Sequence, residues 1–245
     1  MGGWLLSLAL LFLRQQLQMP GSIEELVLGL VQGELSGHSS DRLGLLTILS
    51  HLIGLRVTHG LQPWAFGHSK RCPSISFGIP GDIPDLQSLH LKVLDISIGT
   101  ITTCRLGFVT HEVLYDLCTR YPRIAAAFWR ETLIEGAIFR EWVANVGRRE
   151  AYNRMAHLVC ELLVRLRAVG LAKDYSCDMP ITQGELGDAL GITTVHVNRV
   201  IQQMRTDGLI ELKGDRLNIP DWEKLKQVGE FDPTYLHLES HQAAA

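Results

Sequence analysis

The chain has 245 residues, which is room for one large or two ordinary domains with a real core. Apolar residues make up 46% and charged residues 20%, which excludes an intrinsically disordered chain. The formal net charge of −3 excludes a global positive field, so any contact with nucleic acid must come from a local basic surface.

Residues Gly3 to Leu13 form an apolar run of 11 positions, whereas a membrane-spanning helix needs roughly 20. Neither a basic start nor a small-residue cleavage site marks a secretory signal, so the run reads as a buried or partner-facing helix or as an anomaly, with a signal-like role the lesser alternative, and no membrane partner is expected. The cysteines Cys72, Cys104, Cys118, Cys160 and Cys177 are scattered. Their spacing gives no CxxC pair and no zinc or iron–sulfur pattern, so they read as packing or surface thiols of a reducing compartment.

Residues 1–73 differ in character from the rest. No lysine precedes Lys70, leucine is frequent, and His38, His51, His59 and His68 follow no helical register. "VQGELSGHSSDRLG" reads as loop and "GLLTILSHLIGLRV" as an apolar segment of either type. From Ser74 the pattern becomes regular. "SISFGIPGDIPDL" is a short alternating run followed by the turn residues Pro80, Gly81 and Pro84, and "LHLKVLDISIGTITTCRLGFV" suggests two or three short antiparallel strands.

Thr110 caps a helix, "HEVLYDLCTRY", that stops at Pro122. Pro122 then serves as the first residue of a helix of about seven turns, with Ile124, Phe128, Ile138, Trp142 and Val146 on an apolar side. Such a stripe suits either a dimer seam or packing on the helix's own domain. Arg148 to Val169 is a second amphipathic helix with core residues Met155, Leu158, Val159, Leu162, Leu163 and Leu166, stopped by Gly170. Arg149, Arg154, Arg165 and Arg167 read as its solvated side.

Residues 181–222 carry the functional signal. Thr182 and Glu185 make a capping box for a short helix that turns Leu186 and Leu190 inward. Gly187 is small where two helices approach, Gly191 supplies a tight turn and Ile192 fills the corner. The next helix starts at Thr193 or Thr194 and buries Val197, Val200, Ile201 and Met204. That is the pattern of a helix-turn-helix. Leu209–Leu212 and Arg216–Ile219 then read as a hairpin wing, whose Lys213 and Arg216 reach phosphates. The outward side of the second helix carries Thr193, Thr194, Val195, His196, Asn198, Arg199 and Gln202, with Gln203 and Arg205, and no acid before Asp207. Arginine suits a guanine edge, asparagine or glutamine suits adenine, and apolar groups suit the thymine methyl.

On these residues the stretch from about Ser74 to Leu238 resembles the Crp–Fnr superfamily of bacterial regulators, most closely a branch with "VHVNR" in the second helix and "FDPTYLHL" near the end, here Phe231–Leu238. The resemblance implies an α+β fold: a β-roll sensor related to cyclic-nucleotide-binding domains, a long dimerisation helix at 122–146 and a C-terminal winged helix-turn-helix. By position it places base reading on Thr194, Val195 and Arg199. The family's phosphate-holding arginine has no counterpart between Gly81 and Cys104, so no cyclic nucleotide is expected, and the cysteine cluster of the oxygen-sensing branch is missing before Cys72.

The expected organisation is a divergent or out-of-frame stretch at 1–73, a remnant sensor with the dimer helix at 74–147, the winged helix-turn-helix at 148–238 and a tail at 239–245. The expected function is sequence-specific DNA binding and transcription regulation by a cytoplasmic homodimer. Its partners are double-stranded DNA and RNA polymerase, and no cofactor or metal is expected. No nucleophile elbow, P-loop, HExxH or dinucleotide fingerprint is present, so an enzyme is not expected. A winged helix that binds protein instead of DNA is the alternative, and the acid-free helix face argues against it. An out-of-frame N-terminal region would instead make the chain a non-functional product.

Overall fold

The computed structural model describes residues 43–48, 55–59, 74–91, 93, 96–103 and 106–238. The apolar run at Gly3–Leu13, Cys72, Cys104 and the tail at 239–245 lie outside them. Two small antiparallel sheets come first. Strand β1 (Leu43–Ile48) pairs with β5 (Leu106–Thr110), and β2 (Leu55–His59) lies between β3 (Ser74–Gly78) and β4 (Ile96–Thr100). This differs from the sequence reading in two ways. The segment left without a type before Ser74 supplies the strands that pair with β3, β4 and β5, and β4 and β5 join different sheets rather than each other. An almost wholly apolar run hides the two-residue alternation by which a half-buried strand is recognised.

After β3 the chain reverses at Pro80-Gly81, where Gly81 has a φ of 102°. The Ile79 N–H donates to Asp82 Oδ2 at 2.8 Å, which braces the turn. Leu86 and Leu89 of a short 3₁₀ turn (Leu86–Leu89) form a small core with Leu114 of α1 (His111–Arg120). Thr110 caps α1 as expected, its hydroxyl accepting from Val113 N–H.

Helix α2 (Pro122–Arg148) has 27 residues and is about 40 Å long at 1.5 Å per residue. Its expected stripe proves to be mostly internal. Ile124, Ile138 and Trp142 are buried within the chain and Phe128 is partly buried. The Trp142 ring meets Phe77 of β3 edge-on at 5.8 Å between centroids. A different row is exposed: Trp129 at 67%, Leu133 at 54% and Val143 at 74%, with Val146 beside it.

Helix α3 (Ala151–Ala168) buries all six expected core residues, each at most 3% exposed. The reading of its arginines as a solvated side is corrected: Arg167 is exposed, but Arg165 is buried and Arg149 and Arg154 are partly so, each with polar partners. Periodicity marks apolar positions and says nothing about a charge that a neighbouring element neutralises.

A four-stranded sheet in the order β6-β7-β9-β8 follows, from β6 (Ala172–Lys173), β7 (Ser176–Asp178), β8 (Glu211–Lys213) and β9 (Arg216–Asn218). The β6–β7 reversal uses Asp174 and Tyr175 at positive φ, without the glycine that would have announced it. Between β7 and β8 lie α4 (Gln183–Leu190) and α5 (Thr194–Thr206), and α6 (Trp222–Val228) and a 3₁₀ turn (Pro233–Leu236) close the chain. One continuous core runs from Phe77 and Ile79 through Trp142 and α3 to the helices and sheet beyond. Among the described residues no helix is long and apolar enough to cross a membrane.

Candidate nucleic-acid interface

Each local signal that sets the two helices is present as geometry. Thr182 and Glu185 exchange hydrogen bonds, Glu185 N–H to Thr182 Oγ1 at 3.2 Å and Thr182 N–H to Glu185 Oε2 at 2.8 Å. Gly191 ends α4 in the left-handed region, at φ 65°, and the N–H groups of Gly191 and Ile192 both reach the Gly187 carbonyl. A Cβ on Gly187 would stand 2.7 Å from the Ile192 carbonyl oxygen and 3.6 Å from both Thr194 N and Val197 Cγ2. The crowding at Gly187 is therefore greatest against the turn, with the second helix just behind. Thr193 Oγ1 accepts from His196 N–H at 3.2 Å and starts α5, whose Val197, Val200, Ile201 and Met204 are buried.

The pair is clamped from outside. Arg154 of α3 donates to the Leu190 carbonyl at the end of α4 and to the Arg149 carbonyl at 3.0 Å. Tyr152 OH donates to Asp207 Oδ2 at 2.6 Å and Lys224 Nζ to the Asp207 carbonyl at 2.8 Å, just past the end of α5. These ties hold the end of α4 to α3 and the end of α5 to α3 and to Lys224.

On the face turned away from the core, Thr193, Thr194, Val195, His196, Asn198, Arg199 and Gln202 are all exposed, as are Gln203 and Arg205. Arg199 makes no hydrogen bond or ion pair with any described residue, so its guanidinium is available. Asn198 is not entirely so: its Nδ2 donates to Gln183 Oε1 of α4 at 3.3 Å. Gln183 was not among the residues expected from the sequence. Its nearness to Asn198 depends on the helix crossing, and no local pattern announces it.

The wing hairpin pairs Lys213 with Arg216 across Gly214-Asp215, with Gly214 at φ 59°. Lys213 is exposed and without a partner among the described residues. Arg216 is held on its own sheet, Nε donating to Ser176 Oγ at 2.8 Å and Nη1 lying 3.1 Å from Asp178 Oδ1. The sequence brought these two cations together as equals, and the geometry separates them. Burial pushes the Cys160 thiol up to about 12 and the Cys177 thiol up to about 11, so both stay protonated at neutral pH and behave as packing residues.

Residues 153–228 match the family model described as a Crp-like helix-turn-helix domain. The transcriptional activator protein FnrL of Cereibacter sphaeroides is 30% identical over 121 residues, covering 48% of this chain and 49% of that protein. The anaerobic regulatory protein of Haemophilus influenzae is 23% identical over 164 residues, 66% of this chain and 63% of that protein. The chain thus spans about half to three-fifths of these relatives' length. Among solved structures, FixK2 from Bradyrhizobium japonicum superposes with a TM-score of 0.60 at 18% identity, covering 76% of this chain and 87% of that one. A CooA variant from Carboxydothermus hydrogenoformans gives 0.58 at 14% identity, covering 80% and 83%. At those identities the likeness speaks for the fold alone.

Proposed function

We propose that the chain is a Crp–Fnr regulator, a homodimer that binds DNA sequence-specifically to regulate transcription, a reading supported by the Crp-like helix-turn-helix match at 153–228 and by the 30% identity to FnrL. The observation that carries the proposal is the exposed, acid-free outer face of α5, displayed by a helix capped at Thr193 and tied to α3 just past its end at Asp207. In helix-turn-helix proteins the second helix enters the major groove and its N-terminal residues meet base edges. Here those are Thr193, Thr194, Val195, His196 and Asn198, with Arg199 and Gln202 on the next turn. Arg199 is the guanine reader, with a free planar fork that can make two hydrogen bonds. Lys213 supplies phosphate affinity, and Arg216 does so only by exchanging Asp178 for a phosphate.

Dimerisation is supported by a row on α2 that is exposed except at the half-buried Gly136. Ala126, Trp129, Leu133, Gly136, Arg140 and Val143 succeed one another at alternating spacings of three and four, the pattern of a helix seam against a second copy. A division near residue 147 then separates a sensor with its dimer helix, to which β1 and β2 belong as well as residues 74–147, from the DNA-reading part at 148–238. We place the protein in the cytoplasm, with RNA polymerase as its protein partner. Selection of random duplexes by the full chain tests the reading. It should enrich a two-fold-related site with half-sites about 34 Å apart, one helical turn. A folded dimer that enriches no sequence would sink it.

A further inference from the structure

A chain of polar contacts crosses from the turn after β3 through α3 to α2 and the final 3₁₀ turn, α3 itself being tied to the DNA-reading helices by Arg154 and Tyr152, and nothing in base reading or dimerisation accounts for it. Asp82, in the turn after β3, places Oδ2 2.8 Å from Arg165 Nη2 of α3. Arg165, only 7% exposed, sends Nη1 to 3.4 Å from Glu161 Oε1. Glu161 is fully buried, and its carboxylate accepts from Trp142 Nε1 of α2 at 3.1 Å and from Tyr235 OH of the final 3₁₀ turn at 2.7 Å. Next to it, His157 Nε2 lies 3.2 Å from Tyr235 OH while Nδ1 donates to the Gly229 carbonyl at 3.0 Å.

Apolar contacts alone would hold these parts together but would let them slide. Phe77 against Trp142 is tolerant of small rotations, whereas an ion pair and a buried carboxylate with its donors have one good arrangement. Replacing a buried ion pair by apolar residues often costs nothing in stability, so stability by itself does not explain this one. We propose that Asp82, Arg165 and Glu161 are positioning residues, fixing the angle of the DNA-reading helices to α2 and hence the separation of the two recognition helices in the dimer. This rests on the dimeric DNA-binding reading above. Loss of the Asp82 charge should leave the fold standing. Arg165 keeps Glu161, and Glu131 and Glu135 of α2 line the same small cavity of about 80 Å³. An asparagine at 82 also keeps an oxygen for the Ile79 N–H.

The test uses the full chain and a set of duplexes in which the selected half-sites are moved apart or together by single base pairs. Wild-type protein should prefer one spacing steeply. Asp82→Asn should lose about 2- to 30-fold in affinity at that spacing and much less at the others, with the base preference inside each half-site unchanged. Tyr235→Phe, which removes a donor to Glu161 from the opposite side, should flatten the spacing profile in the same sense. An equal loss at every spacing marks a merely structural role and overturns the inference, as does an unchanged profile in both variants. A gain at the preferred spacing overturns it too, since the contacts would then be restraining the reading head rather than setting it. Wild-type protein that retains no DNA removes the regulator reading itself, and this inference with it.

Discussion

Gly187→Ala is the smallest change that should damage the reading head. The new methyl carbon would begin 2.7 Å from the Ile192 carbonyl oxygen, and ordinary contact needs about 0.7 Å more. The obstacle is backbone, pinned by the Ile192 N–H to the Gly187 carbonyl at 3.0 Å, so no side chain can swing aside. Overpacking of this kind costs about 1–3 kcal/mol. Against it stands the helix propensity gained when glycine becomes alanine, up to about 1 kcal/mol. The clash outweighs the gain over most of that range, for a net loss of up to about 2 kcal/mol and a melting temperature lower by up to about 8 °C. The displaced atom is one residue before the Thr193 cap, so the start of α5 moves with it. DNA affinity should then fall about tenfold or more, as when one bidentate base contact is lost. Thermal unfolding by circular dichroism and a fluorescence titration with the selected duplex read the two effects. If Gly187→Ala melts at or above the wild-type temperature and binds DNA unchanged, the turn is not packed as described.

Arg199→Ala should level the preference among operator variants by about 1–3 kcal/mol while sparing non-specific binding; a common loss for every sequence would make Arg199 a phosphate contact. Lys213→Ala should weaken all duplexes alike and lower the salt slope by about one unit, whereas Arg216→Ala, already paired with Asp178, should do less. Replacing Trp129 and Leu133 together by serine should shift the protein towards monomer in sedimentation and weaken DNA binding, and a dimer of unchanged affinity would move the seam elsewhere. Cyclic AMP and cyclic GMP should leave the DNA affinity unaltered, and micromolar binding of either by calorimetry would contradict the missing phosphate-binding arginine. Burial, with the Asp82 and Glu131 charges adding to it, raises the Glu135 carboxyl from an ordinary 4.5 to about 7. The folded state therefore holds this proton more tightly than the unfolded chain, so the contribution of Glu135 to stability is full below about pH 4.5 and is lost as the pH rises through about 7. Glu135→Gln should remove part of that decline in urea unfolding followed across the range, and an unchanged slope would count against it.

The helix-turn-helix was legible in the linear chain because its rules are local. A cap three residues from its partner, a glycine in the left-handed region and apolar residues one turn apart are set within a few positions of each other, and Thr182, Gly191 and Val197 to Met204 all stand where the spacing put them. The same locality gave Pro122 as the start of α2 and the core face of α3. Three things needed the tertiary structure. The strands Leu43–Ile48 and Leu55–His59 take their identity from partners up to about seventy residues away, which no window of sequence contains. The sequence left the α2 stripe open between a dimer seam and internal packing because both sides of the helix carry large apolar residues, and only the packing of Trp142 on Phe77 decides which side is spent. The charges differ most of all. Arg165, Arg199 and Arg216 are identical letters at exposed-looking positions, yet one is buried between two carboxylates, one is free and one is tied to its own sheet. A side chain's charge is fixed by its covalent chemistry, but whether that charge meets water, an acid or a ligand depends on which distant segment folds beside it.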